Sequence, residues 1–293
     1  MANRRVLVKR RKAVRNIRKI TRTMQLIATA RFQAMFNRAV AARPFTEKLA
    51  EIVGDLARGA EGIDHPLMKS QAPAAPAALL VLTSNRGLCG GYNAGVLRLA
   101  QDHLAALREG GRGRELHVFG KKGVSYFKFV REAMAAQVTS IPDAPRYEQV
   151  EPIATGLIDD FLAGRISEVS VAYVRFYSAS RQRPEVVQLL PLADAGQTAA
   201  APATPQRAIE YEFRPDPARL LSELLPATVR IRLFQAFLDA AVSEQISRMV
   251  AMKAATEAAE ETIKTLTRQY NRARQTHITM ELLDIVGGAN ALA

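Results

Sequence analysis

The longest unbroken patterns in the chain lie at its two ends. Residues 2–43 and 227–286 contain neither glycine nor proline, over 42 and 60 positions. Those two residues are the commonest helix breakers, so both stretches read as long α-helices. At 1.5 Å per residue they would reach about 60 and 90 Å, wider than an ordinary domain, so at least one is expected to project. In the first, Ile17, Ile20, Met24 and Ile27 are spaced three, four, three; in the second, Ile263, Leu266, Tyr270 and Ala273 repeat that spacing. This predicts a coiled-coil seam between the two ends, paired antiparallel. Arg31 and His277 stand where the stripes would continue, so the seam is expected to be irregular, with a tip partly sheathed by other proteins. Two buried helices of a compact bundle are the alternative on pattern alone. Gly287-Gly288 predicts a helix stop after Val286. Pro44 should interrupt or kink the first helix before the pattern resumes through residues 47–56, and Pro226 sits near the expected start of the last.

The middle of the chain alternates. A strand is expected at 78–83, a helix at 92–107, a strand at 115–119, a helix at 121–131, a short strand at 136–139 and a helix at 149–162. Strands at 169–177 and 186–190 follow, joined by a polar turn containing Arg181 to Pro184, and residues 209–213 would add one more strand. This βαβαβαββ order predicts an α/β fold, a small open sheet with Rossmann-like winding. Residues 71–78 and 193–205, rich in Ala and Pro, read as linkers. The expected organisation is therefore an amino-terminal coiled-coil helix at 1–58 and a linker at 59–78. A central α/β domain at 79–192 comes next, then a linker and foot region at 193–217 and a carboxyl-terminal coiled-coil helix at 218–293.

Charge changes the picture at one end only. The chain carries a net +13, yet residues 1–46 hold 13 Lys and Arg and no Asp or Glu, while the remaining 247 residues hold 28 basic and 28 acidic. Ten basic side chains spread around residues 4–22, which argues against burial in a bundle. A basic terminus is compatible with nucleic-acid binding, an organelle transit peptide, or a surface facing an acidic protein or membrane. The helical pattern runs past residue 40 without a cleavage site, against a transit peptide. Stacking aromatics and a recognisable motif for nucleic acid are lacking, because Phe32 and Phe36 read as packing residues. No apolar run is long enough to span a bilayer. Cys89 is the only cysteine, so an intrachain disulfide is impossible.

Catalytic chemistry is thin. Ser84-Asn85-Arg86-Gly87-Leu88-Cys89-Gly90-Gly91-Tyr92-Asn93 is a glycine-rich turn between strand and helix, and a helix start can hold phosphate. Neither nucleotide fingerprint is present, however, and a tight packing turn with a buried Cys89 is the preferred reading. His65, His103, His117 and His277 lie on unrelated segments without metal-ligand spacing. Glu257, Glu260 and Glu261 read as a solvated or partner-facing surface. An enzyme using the α/β domain with a nucleotide, and a nucleic-acid binder with a basic helical arm, remain the alternatives to a mechanical subunit.

Three stretches of this sequence resemble the gamma subunit of F-type ATP synthases. They are Ile17-Arg18-Lys19-Ile20-Thr21-Arg22-Thr23-Met24, then Arg86-Gly87-Leu88-Cys89-Gly90-Gly91-Tyr92-Asn93, then residues 248–256 and 270–275 with the ending at 281–288. The resemblance covers essentially the whole chain and implies a non-catalytic, central-stalk rotor subunit that needs no cofactor. It would be present in one copy, with partners in the alpha, beta and epsilon subunits and the membrane c-ring. Nucleic acid is not an expected partner, and the membrane is touched only through the c-ring. Matched motifs place contacts to the alpha/beta ring at Arg18, Lys19, Met24, Arg248, Arg274, Gln275 and Thr279, and c-ring contacts of the foot at Phe213 and Arg214. The chain departs from the family pattern with Asn85 where Asp is usual and Arg214 where the foot often has Glu. The family's thiol switch is excluded by the single cysteine. The expected location is peripheral, on the cytoplasmic face of a bacterial inner membrane, with the mitochondrial matrix side as the alternative.

Overall fold

The computed structural model describes residues 4–59, 65–69, 75–192 and 217–292. Its elements are α1 (Arg4–Gly59), a 3-10 turn (Pro66–Met68), β1 (Ala77–Leu82), α2 (Tyr92–Glu109), β2 (Arg114–Phe119) and α3 (Lys121–Phe129). They continue with β3 (Ala136–Val138), α4 (Tyr147–Leu162), β4 (Glu168–Ser178), β5 (Arg181–Leu190) and α5 (Pro217–Leu292). The expected order βαβαβαββ between two long helices is what forms. The chain divides into two compact units, residues 31–247 and the pair 1–30 with 248–293.

In the first unit the five strands run β3-β2-β1-β4-β5, parallel except for the antiparallel β5. Every residue of β1 is buried, as a central parallel strand covered on both faces requires. Its side chains alternate between two cores. Leu79 and Val81 join Val96, Ala100 and Leu104 of α2 and Phe127 of α3. Leu80 and Leu82 join Val150, Leu157 and Phe161 of α4, Leu49 and Val53 of α1, and Leu225, Leu233 and Phe237 of α5. Residues 31–59 of α1 and 217–247 of α5 thus belong to this unit. Phe119 meets Phe237 edge to face with centroids 5.3 Å apart. A third cluster packs Met35 and Ala39 of α1 on Leu238, Val242 and Ile246 of α5.

Three expectations need correction. Residues 181–184 are not a turn: they open β5, whose Pro184 pairs with Val174, and the reversal shrinks to Ala179 and Ser180. Proline is tolerated there because β5 is an edge strand. Gly287-Gly288 does not stop α5, which runs on to Leu292; glycine in an exposed helix costs only about 1 kcal/mol. Pro44 lies inside α1 without interrupting it. The last helix begins at Pro217, one residue before the expected 218. The strand expected at 209–213, the foot residues Phe213 and Arg214, the linker at 193–205 and residues 71–74 of the other linker lie outside the described residues.

The second unit is a helix pair. Arg11 stacks over Tyr270, Arg18 reaches Glu260 and Thr21 meets Thr256, so partner numbers fall as α1 advances and the pairing is antiparallel. The seam of α5 runs through Met252, Thr256, Ala259, Ile263, Leu266, Tyr270 and Ala273, all buried or half-buried, and it contains the four residues expected from the sequence. The seam of α1 does not. Ile17, Ile20 and Ile27 are 51%, 59% and 49% exposed, and Met24 alone of that stripe is half-buried. The sealed positions are Leu7, Arg11, Val14, Thr21, Gln25 and Ala28, one heptad phase away. The bulky isoleucines are turned outward.

Candidate partner interface

Within the glycine-rich turn, Ser84, Cys89 and Asn93 bond to one another. Asn93, in the first turn of α2, accepts the Ser84 backbone N–H on Oδ1 at 3.0 Å and donates from Nδ2 to Ser84 Oγ at 2.8 Å and Cys89 Sγ at 3.2 Å. Ser84 Oγ donates to the Arg86 carbonyl at 2.6 Å. Leu88 and Gly90 take positive φ to bring this about, and Cys89 is buried beneath them. The turn is a packed corner.

The surface chemistry concentrates on the helix pair. Arg15, Arg18, Lys19 and Arg22 of α1 border an open groove of about 1000 Å³ whose other wall carries Lys253, Glu257 and Glu260 of α5. Arg18 Nη1 lies 3.5 Å from Glu260 Oε1, with both side chains half-exposed. Such exposed pairs contribute about 0–1 kcal/mol and exchange readily. Glu257 and Glu261 find Lys253, Lys264 and Arg268 on their own helix, as a solvated face does. Beneath the groove the Thr256 hydroxyl donates to Thr21 Oγ1 at 2.8 Å, a buried polar bond across the pair.

Of the residues singled out from the sequence, Arg18, Lys19, Arg274, Gln275 and Thr279 are exposed, and Met24 is half-buried. The Thr279 hydroxyl donates to the Gln275 carbonyl at 3.0 Å, one turn back on α5. Arg248 differs: it is only 6% exposed and bonded within the chain. Sequence reasoning passed over the apolar component. Leu26 joins the outward isoleucines on α1, and on α5 Ile278, Leu282, Leu283, Ile285 and Val286 are all about half or more exposed. Every residue from Arg274 to Asn290 is exposed, so this end of α5 has no helix beside it among the described residues. The 3-4 spacing of Ile278, Leu282 and Ile285 was the available signal; it reads as seam until the partner helix is seen to be missing. Apolar surface of this extent marks a docking face. No helix is long and apolar enough to cross a membrane, and no metal-binding cluster occurs among the described residues.

A basic, apolar-studded helix pair and a Rossmann-like α/β unit define a stalk-type subunit. The sequence model of the ATP synthase family matches residues 3–292. The ATP synthase gamma chain of Rhodopirellula baltica is 45% identical over all of this chain and 99% of its own length. That of Leptospira biflexa is 36% identical over the whole of both chains. Among solved structures, a chain of the Euglena gracilis mitochondrial ATP synthase matches with a TM-score of 0.65 at 15% identity, covering 99% of this chain and 94% of that one. The chain therefore belongs to the ATP synthase gamma-chain family, the rotor subunit of the central stalk.

Proposed function

We propose that the helix pair turns inside a ring of alternating alpha and beta subunits, and that the chain itself carries no catalytic site. The helices at 1–58 and 218–293 supply the shaft through their outer parts, 1–30 and 248–293, while their inner parts pack with the central domain at 79–192, and 59–78 and 193–217 are its connections. The central domain and the foot around Phe213 and Arg214 sit on the c-ring beside the epsilon subunit. The complex places the chain peripherally on the cytoplasmic face of a bacterial inner membrane. Ion flow turns the c-ring and the shaft with it, and the asymmetric shaft drives the ATP sites of the beta subunits through successive states.

The observation that carries this reading is the surface of the helix pair. Exposed Arg18, Lys19 and Arg274 offer mobile attraction to acidic loops, while Ile278, Leu282 and Ile285 offer an apolar bearing. Weak, exchangeable ion pairs suit a surface that must release each partner in turn. Ring contacts are assigned to Arg18, Lys19, Met24, Arg274, Gln275 and Thr279. Arg248, buried here, acts by holding its part of α5 in place. The test is the double substitution Arg274→Ala with Gln275→Ala in the assembled complex. ATP-driven proton pumping should fall by about twofold to tenfold, as loss of one or two polar contacts of about 1 kcal/mol implies. Unchanged pumping would remove these residues from the interface. Purification of the tagged chain without alpha and beta chains would overturn the assignment of partners.

A further inference from the structure

Along the groove of the helix pair, α1 offers cations and no carboxylate. Residues 1–46 hold no Asp or Glu, so an acid that meets Arg15, Arg18, Lys19 or Arg22 within this unit has to come from α5. The two acids that line the groove, Glu257 and Glu260, behave differently. Glu257 turns to Lys253 of its own helix, and Glu261, outside the lining, likewise turns to Lys264 and Arg268. Glu260 crosses to α1, where its Oε1 lies 3.5 Å from Arg18 Nη1. Arg15, Lys19 and Arg22 border the same groove and have no carboxylate partner among the described residues.

The register of the helices sets this meeting. Thr256 lies one turn before Glu260 on α5, and Thr21 one turn after Arg18 on α1, so each threonine shares a face with its neighbour. The buried hydrogen bond between the two threonines, at 2.8 Å, thereby places Glu260 opposite Arg18. Both charged side chains are half-exposed, which makes their pair weak and quick to open. A partner's carboxylate that reaches into the groove for Arg18 therefore finds one already there. It either displaces Glu260 or takes the free edge of the guanidinium, where the two carboxylates repel each other. Displacement lowers the apparent affinity by the fraction of time that Arg18 is free.

We propose that Glu260 is an intramolecular competitor that loosens the hold of the groove on acidic segments of the partner and hastens their release. This rests on the reading of the helix pair as a surface gripped by acidic loops. Arg15, Lys19 and Arg22 supply the attraction that draws a segment in. Arg18, occupied by Glu260 between visits, is the contact most easily given up.

The test is titration of the purified full-length chain into an end-labelled oligoglutamate peptide at physiological salt, followed by fluorescence anisotropy. Arg18→Ala should weaken binding by about twofold to fivefold, and Glu260→Gln should tighten it by about as much. Glu261→Gln removes the same charge one residue on and outside the groove lining, and should tighten binding by less. With Arg18→Ala in place, Glu260→Gln should do no more than Glu261→Gln does. Thermal unfolding shows that each variant is folded, and Glu260→Ala replaces Glu260→Gln should that variant fail to fold. A Glu260→Gln chain that binds no tighter than Glu261→Gln overturns the proposal. So does an equal gain in the absence of Arg18, or a failure of the unaltered chain to bind the peptide. These results leave the partner assignment standing; that falls only when the tagged chain purifies without alpha and beta chains.

Discussion

Between Thr21 and Thr256 the helix pair is joined by a buried hydrogen bond where a coiled coil ordinarily places leucine or isoleucine. Each hydroxyl also has a carbonyl of its own helix as an alternative acceptor, Thr21 that of Arg18 at 3.1 Å and Thr256 that of Met252 at 2.8 Å, so two protons are shared among three contacts. Either threonine alone therefore stays partly satisfied when its partner is lost. A double-mutant cycle of Thr21→Val and Thr256→Val, followed by denaturant unfolding, should return a coupling of about 0.5–1.5 kcal/mol. A value near zero would mean that the two hydroxyls serve only their own helices. The residues that seal the pair were hard to read for the same reason. Thr21, Gln25 and Ala28 carry little hydrophobic signal, whereas Ile17, Ile20 and Ile27 carry much and face outward. A hydrophobic stripe marks something to be buried; here a separate partner, not the neighbouring helix, is the proposed cover.

Elements whose formation depends on near neighbours were legible. The short apolar run at 78–83 reads as a strand, and the structure sends Leu79 and Val81 to one core and Leu80 and Leu82 to the other. At β5 the same reasoning failed, because Pro184 signals a turn unless its strand has a free edge, and only the sheet order supplies that edge. The junction of β2 and α3 is a stricter constraint. Gly120 sits at φ +96°, and a Cβ there would lie 2.1 Å from the Thr83 carbonyl oxygen at the end of β1. Gly120→Ala should therefore destabilise the α/β unit by about 3 kcal/mol or more, read by thermal unfolding. At the other extreme, Gly287 and Gly288 have open space where a Cβ would go. Gly287→Ala with Gly288→Ala should favour the helical end of α5 by up to about 1 kcal/mol per site. Slower amide exchange over residues 283–290 would report it, and unchanged exchange would mean the end is held by something other than helix propensity.

For the chain as a whole, two histidines set a pH dependence. Burial lowers the pKa of both His65 and His103 below the ordinary 6.5; at His103 the nearby Glu168 opposes this and Arg112 adds to it. A base with a depressed folded pKa is protonated first in the unfolded chain. Stability should thus hold above pH 6.5 and fall as pH drops from there towards the folded values. His103→Gln should flatten that slope in thermal unfolding between about pH 6.5 and 5, because one of the two groups no longer titrates. A slope unchanged by His103→Gln would assign the effect elsewhere. The assembly-level reading rests on a different asymmetry, the 13 basic and no acidic residues within the first 46. That was legible at once, because charge needs no fold to be counted. So were the two terminal helices, since freedom from breakers and a steady periodicity act within a few turns of backbone. The face of α1 that seals was decided only by tertiary structure, because it depends on the surface of α5 laid against it. The same holds for the meeting of Arg18 and Glu260, 242 positions apart in the chain. No local pattern joins them, and they meet because a buried bond between Thr21 and Thr256 fixes the register of two helices drawn from opposite ends of the chain.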